Sequence, residues 1–168
     1  MKTHHLKKYI ILALIIQSCA PTIKIVDRHP NNQKKSSEVY RSKYFGEALQ
    51  KRLEYFSNGQ IKSETNYRQE QKHGKYVSYF INGSMSAEGE FKNNERQGKG
   101  EQKYPDGSVY SGEFEFGQYN GYGTLSFKDG RKIVGNWKNS KPVGQITLIS
   151  ADGSSKEALW DDKNEKYI

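Results

Sequence analysis

Cysteine is nearly missing from this 168-residue chain, where Cys19 is the single one. A lone cysteine excludes an intrachain disulfide and a cysteine-built metal cluster. Histidine is scarce as well, with four residues. Beyond the N-terminus only His29 and His73 remain, and neither stands in a serine, cysteine or acid setting that spacing would reveal. Gly98-Lys99-Gly100 lacks the rest of a phosphate-cradling loop. Asp161, Asp162, Asn164 and Glu165 do not follow the spacing of a calcium loop and read as a solvated end. The one long apolar run, residues 9–16, falls far short of the ~20 residues that a spanning helix needs. No stretch after residue 50 carries a helical period. No enzymatic activity, cofactor or metal is expected from such a chain.

The short apolar run does have a meaning in its setting. Lys2, Lys7 and Lys8 precede it, and small residues follow it, which is the pattern of an export signal. Ile16-Gln17-Ser18-Cys19 resembles the bacterial lipobox, with Gln17 departing from the usual small or apolar residue. The resemblance implies cleavage before Cys19 and acylation of its thiol, against the plainer alternative of a free thiol in a simple signal peptide. Several acyl chains anchor stably, since each buried CH₂ is worth about 0.8 kcal/mol. Ala20 is not the aspartate that resembles an inner-membrane retention signal, which favours the outer membrane of a bacterial envelope. The expected layout is a lipoprotein signal over 1–18, a polar lipid-anchored tether over 19–47, an array over 48–164 and a tail over 165–168.

The array announces itself through five glycines: Gly59, Gly83, Gly107, Gly130 and Gly153, at intervals of 24, 24, 23 and 23 residues. Each follows Asn or Asp, and an aromatic follows in the same rhythm: Tyr67, Phe91, Phe114, Trp137, Trp160. A fixed period of this size means a repeat architecture, which offers a long surface instead of one deep pocket. Asn-Gly and Asp-Gly between short alternating strands signal β-hairpins. The units are then residues 53–74, 75–98, 99–121, 122–144 and 145–164, each closed by a loop at Gly74, Gly98, Gly121 or Gly144. The fold class is all-β: an elongated single antiparallel sheet of about five tandem hairpins.

Register can be counted from the turns. In the 24-residue units a two-residue Asn-Gly turn would pair Phe56 with Ile61 and Phe80 with Met85. In the 23-residue units a three-residue loop would pair Tyr104 with Ser108 and Phe127 with Arg131. Side chains alternate with period two, so the shorter unit requires the longer turn to keep its aromatics on one face. This count sets Phe91 opposite Gly74, Phe114 opposite Gly98, Trp137 opposite Gly121 and Trp160 opposite Gly144. It also sets Gly112 opposite Gly100 and Gly135 opposite Gly123. Glycine is costly within a strand, so the opposed glycines are expected to seat the rings over bare backbone. Turn chemistry alone does not account for Gly89, Gly112 and Gly135, which fall mid-strand two residues before an aromatic.

Tyr110-Ser111-Gly112-Glu113-Phe114, Gly117 to Gly121, Gly123 and Lys128-Asp129-Gly130 together resemble the MORN repeat. Gly89-Glu90-Phe91 and Gly135-Asn136-Trp137 fit the same pattern. The first units, with Asn-Gly and the longer period, resemble the variant common in bacterial proteins. The resemblance covers residues 48–161, with departures at Thr65, Ser150 and Ala158 in the terminal units. It implies a single twisted sheet used as a scaffold: protein-binding, dimerising and in some cases lipid-associating. Some bacterial variants carry an antitoxin label, which an export signal argues against.

Two surfaces compete for a role. The rings Phe56, Tyr67, Phe80, Phe91, Tyr110, Phe114, Trp137 and Trp160 would form an aromatic groove for a protein partner or a second copy, packed along its floor and open at its outer edges. Alternatively, basic residues in loops and strands (Lys72, Lys75, Lys92, Arg96, Lys99, Lys132, Lys138, Lys141) would attract anionic lipid or glycan. The chain carries a formal net charge of +8, but export and a lipid anchor exclude nucleic acid as its partner.

Overall fold

The computed structural model describes residues 21–43, 46–161, 163 and 166–168. The segment 1–18 and Cys19 lie outside them. Among the described residues the elements are all strands: β1 (Thr22–Arg28), β2 (Lys34–Lys43), β3 (Gly46–Tyr55), β4 (Ile61–Arg68), β5 (Gln71–Tyr79), β6 (Met85–Lys92), β7 (Glu95–Lys103), β8 (Val109–Glu115), β9 (Gln118–Ser126), β10 (Lys132–Lys138), β11 (Lys141–Ile149), β12 (Ser155–Asp161) and the two-residue β13 (Lys166–Tyr167). They lie side by side in chain order, each antiparallel to the next, as one open sheet.

Two turn types alternate along it. On one edge sit three-residue loops, closed by Phe56 N–H to Gln60 O, Phe80 to Ser84, Tyr104 to Ser108, Phe127 to Arg131 and Ser150 to Ser154, at 2.8–2.9 Å. The third loop residue is Gly59, Gly83, Gly107, Gly130 or Gly153, with φ between 84° and 91°, a left-handed conformation that glycine adopts without steric cost. The Asn or Asp before it folds back, its Oδ1 accepting from the backbone N–H of Gln60, Ser84, Ser108, Arg131 or Ser154. On the other edge sit two-residue turns with both residues at positive φ: Gln69-Glu70, Asn93-Asn94, Phe116-Gly117 and Asn139-Ser140. This is the primed geometry whose twist matches that of the strands. Asn94 N–H donates to Lys72 O, Gly117 to Arg96 O and Ser140 to Tyr119 O, each at 3.0 Å, so successive turns are tied into a continuous rail.

These turns correct the sequence expectation in three places. All five hairpins use the three-residue loop, including the 24-residue units. There the extra residue is absorbed one step further on, by a β-bulge: Tyr55 faces Ile61 but Glu54 faces Ser63, and Tyr79 faces Met85 but Ser78 faces Ala87. Beyond the bulge the counted register holds, with Gly74 opposite Phe91 and, in the 23-residue units, Gly98 opposite Phe114 and Gly121 opposite Trp137. The β11–β12 ladder ends at Gln145 and Leu159, one pair before Gly144 and Trp160. Second, Gly74, Gly98, Gly121 and Gly144 do not close the units. They lie within β5, β7, β9 and β11, at register shifts opposite the preceding strand.

Third, residues 22–43, expected within the tether, are the strands β1 and β2. Their connection repeats the array's loop: His29 N–H donates to Gln33 O, Asn32 N–H to His29 O, and Gln33 N–H to Asn31 Oδ1. Asn32 takes the glycine's place at φ 65°. Asparagine is the non-glycine residue that best tolerates that conformation. Polar composition did not prevent pairing, because the backbone ladder and side-chain hydrogen bonds satisfy these groups. Asn31 Nδ2 donates to Ser57 O at 2.7 Å and His29 Nε2 lies 3.0 Å from Tyr55 O, tying this loop to the next one.

The candidate functional site

A single sheet covers its ring-bearing face only where the rings cover one another. That happens in the third and fourth units. Tyr110, Phe114, Ile133, Trp137 and Ile146 are buried, with Tyr119, Leu125, Phe127, Leu148 and Ala158 packed around them. Tyr110 and Tyr119 stack at 3.6 Å and 3°, and Phe114 and Trp137 each meet that pair edge-on at 5.2–5.7 Å. Such perpendicular contacts set the positive edge of one ring against the negative face of the next. Trp137 Nε1 donates to Gly123 O at 3.1 Å. Burial, with a lesser contribution from Glu113, pushes the Tyr110 hydroxyl up to about 12, and burial followed by the Tyr104 hydroxyl raises Tyr119. Neither phenol ionises near neutral pH.

The glycines seat a ring, but a different one from that expected. A Cβ on Gly98 would meet nothing, one on Gly74 would meet Asn66, and one on Gly121 would meet Glu113. By contrast, a Cβ on Gly112 or Gly123 would strike the hydroxyl end of Tyr110, at 2.6 and 2.3 Å. The glycines that pair across the sheet, Gly100, Gly112, Gly123 and Gly135, therefore form a floor under Tyr110 and its neighbours.

Equivalent positions in other units conserve volume by exchange. Tyr110 stands over Gly123. One unit later Ile133 and Ile146 occupy the same two places. One unit earlier they hold Ala87 and Gly100, and the vacant space is filled by Arg96, which lies 3.5 Å from the Phe114 ring centroid and 5.2 Å from that of Tyr76. Its guanidinium donates to Glu88 O, Glu101 O and Gln102 Oε1. Burial depresses its pKa, against a smaller opposing effect of the surrounding tyrosines. Arg96 was read from sequence as a surface charge; it is a wedge in the ring stack.

In the first units the stack is incomplete. Ser63 and Thr65 stand where Tyr110 and Gly112 stand later, and Ser78 stands where Leu125 stands. A cleft of about 350 Å³ opens there, lined by Tyr67, Tyr76 and Phe91 with Arg52, Lys72 and Thr65 among its other residues. Tyr76 is buried and contacts Phe91 at 4.7 Å, while Tyr67 and Phe91 are half-buried. Arg52 lies 5.4 Å over Tyr67 and Lys72 5.1 Å over Phe91. Arg52 also pairs with buried Glu38, which Tyr40 and Arg52 hold below the usual carboxylate range. The cleft thus offers ring faces with Arg52, Lys62 and Lys72 at its rim and the carboxylate of Glu54 among them, a net positive lining that suits an aromatic or acidic group.

The eight rings expected to form one groove therefore divide. Tyr110, Phe114 and Trp137 are core and have no surface for a partner. Tyr67 and Phe91 line the cleft; Phe56, Phe80 and Trp160 are half-buried elsewhere on the sheet. Sequence reasoning missed Tyr76, whose signal was a large residue at the place of Gly100 and Gly123. It also missed Phe116, a turn residue 71 % exposed. His73 is half-buried within β5. Among the described residues no group of three or more His, Cys, Asp or Glu could hold a metal, and no helix is long and apolar enough to cross a membrane.

Residues 88–109, 110–130 and 134–155 each match the MORN repeat. Among curated proteins none matches the chain. The same loop construction at residues 29–33, 56–60 and 80–84 carries the repeat architecture N-terminally of the matched segments.

Proposed function

We propose that this MORN-repeat chain is a non-enzymatic scaffold, held in a bacterial envelope by an acylated Cys19, that captures a protein partner in the cleft of its N-terminal units. The observation that carries this reading is the contrast between the two halves of one face. Rings at repeated positions close on each other in the third and fourth units and leave a cation-rimmed cleft over Tyr67, Tyr76 and Phe91 in the first two. Tied turns flank that cleft at Lys72 and Asn94, and a preformed surface lowers the ordering cost of binding. Repeat arrays use such fixed surfaces for partners.

The test is crosslinking and pull-down of the lipidated protein from its own envelope. Tyr67→Ala with Phe91→Ala is expected to lose the captured partner while thermal unfolding remains cooperative. Capture that persists in this double variant defeats the reading. Binding to anionic lipid or glycan through Lys92 and Lys138, both exposed beside the turns, is the competing outcome. It would vanish near about 0.5 M salt, where the screening length is only about 4 Å, and would be indifferent to the ring substitutions.

A further inference from the structure

Three of the two-residue turns carry a polar residue at their first position: Gln69 at φ 51°, Asn93 at 52° and Asn139 at 50°. The fourth carries Phe116 there, at φ 50°. Asparagine tolerates this left-handed conformation because its short polar side chain can bond locally, a compensation that phenylalanine lacks. The Phe116 side chain is also 71 % exposed, against 58 % for Tyr122 and 37 % for Tyr104. A strained backbone that presents a bare ring at a turn tip adds nothing to the fold, and outliers of this kind point to a function.

A socket for that ring lies in the same chain. The cleft of the first units measures about 350 Å³. That is the lower end of the ~300–1,000 Å³ of ligand pockets, so it takes one or two side chains and not a long segment. Its walls are ring faces, and its charges leave one cation over. Arg52 is paired with Glu38. Glu54 offsets one of Lys62 and Lys72, whose ammonium groups make no ion pair among the described residues. A group that brings one ring and one carboxylate would match both features. The residue before Phe116 is the exposed Glu115, one of whose carboxylate oxygens accepts from Asn120 Nδ2 while the other has no partner among the described residues. Tyr122 fits less well, because it lies in the middle of β9 with strands on both sides and does not project as a tip does. Phe116 does not fill the cleft of its own chain: its turn is tied to Arg96 O in β7, outside the strands β3 to β6 that line the cleft.

We propose that the Glu115-Phe116 turn of one copy docks into the cleft of a second copy, with the Phe116 ring against Tyr67 and Phe91 and the Glu115 carboxylate toward Lys62 and Lys72. This rests on the cleft reading of the preceding section and names the occupant. The contact joins two different patches of the molecule, so it is heterologous and links copies head to tail. A single turn buries far less than the roughly 1,200 Å² of a stable complex. The association is therefore transient, and covalent capture is the measurement that suits it.

The test is photocrosslinking of the full-length protein in its own cells. A benzophenone-bearing phenylalanine replaces Phe116 or, as the control at the equivalent turn, Asn139, and the copies carry two different tags. Light is expected to join position 116, and not position 139, to the cleft segment 52–91 of a differently tagged copy. Tyr67→Ala with Phe91→Ala, and separately Lys62→Glu with Lys72→Glu, should each lower the yield at least about tenfold, the effect of losing a dominant contact. Phe116→Asn brings in the residue of the neighbouring turns and should leave the thermal midpoint unchanged or raise it. A fall would show that Phe116 serves the fold, and overturns the proposal. Crosslinks from position 116 to another protein or to lipid, the absence of any crosslink to a second copy, or a yield indifferent to the cleft variants overturn it as well. Envelope capture judges the cleft reading separately. If the ring double variant still loses its captured partner, the cleft binds something other than this turn; if it keeps that partner, the cleft reading fails too.

Discussion

The phenol of Tyr110 lies directly on the backbone of Gly123: a Cβ at residue 123 would sit 2.3 Å from Tyr110 Oη and 2.6 Å from its Cζ. Tyr110 is wholly buried and cannot withdraw. Gly123→Ala is therefore expected to destabilise by about 1–3 kcal/mol, the usual cost of overfilling a packed core. The next unit shows the remedy, since Ile133 and Ile146 share the corresponding space. Adding Tyr110→Ile to Gly123→Ala should cost less than the two separate changes summed, measured by denaturant unfolding of all four proteins. Strict additivity would mean that the two positions do not share space.

The rings give a second contrast. Trp137 and Tyr67 occupy the same place in their units, four residues past Ile133 and Ser63. Trp137 is 4 % exposed, bonded to Gly123 O and set edge-on to two tyrosines. Trp137→Ala is expected to cost about 3–5 kcal/mol. Tyr67 lines an open cleft, so Tyr67→Ala should cost clearly less and act on partner capture instead. Equal losses of stability would place Tyr67 in the core.

Much of this was legible in the sequence, and the parts that were not share a cause. Period, hairpin order and cross-strand register followed from the Asn-Gly and Asp-Gly spacing, because the loop glycine and the alternation of side chains are local facts. The bulges after Tyr55 and Tyr79 were not legible, because a two-residue turn and a three-residue loop plus bulge restore the same register beyond them. The turns at Gln69-Glu70 and Asn139-Ser140 carry no glycine, and the strands supply the twist that holds them. β1 and β2 escaped because Asn32 does the work of glycine. Arg96 escaped because its burial depends on Ala87 and Gly100 in neighbouring strands, which no local pattern announces.

Acid should loosen the loops of the later hairpins. Ser108 holds the Asp106 carboxyl below its ordinary value of 3.8, the Arg131 backbone N–H and guanidinium do the same for Asp129, and Ser154 for Asp152. A depressed folded-state pKa contributes stability that is present above the unfolded value and lost as pH falls through the folded one. The thermal midpoint should drop as pH falls below about 4. The earlier loops use Asn58 and Asn82 for the same bond and carry no charge there. Asp106→Asn, Asp129→Asn and Asp152→Asn together should flatten the acid limb, read by circular dichroism melts across pH. Asp27, held low by Lys35 and the Arg28 backbone N–H, and Glu38, held low by Tyr40 and Arg52, are the remaining sources among the described residues, and Asp27→Asn and Glu38→Gln remove them. An unchanged acid limb in the variant bearing all five changes would show that these carboxylates do not set it.

The bulges make a prediction about chain length. In the first unit Tyr55 faces Ile61 and Glu54 faces Ser63, leaving Lys62 as the supernumerary residue. Lys62 is exposed. Removing it would let the ladder run on from Phe56 and Gln60 without a shift, as it does from Tyr104 and Ser108 in the third unit. Tyr67 and every later ring would keep their face. A protein lacking Lys62 is thus expected to fold cooperatively, with hydrogen-exchange protection of β4 and β5 retained. Removing Ser111 is the opposite case: it moves one of its neighbours across the sheet, either exposing Tyr110 or driving Glu113 toward the buried rings, because side chains alternate with period two. That protein should lose cooperative unfolding. If the two deletions behaved alike, Lys62 would not be the residue that absorbs the longer period, and the 24-residue units would need a different account.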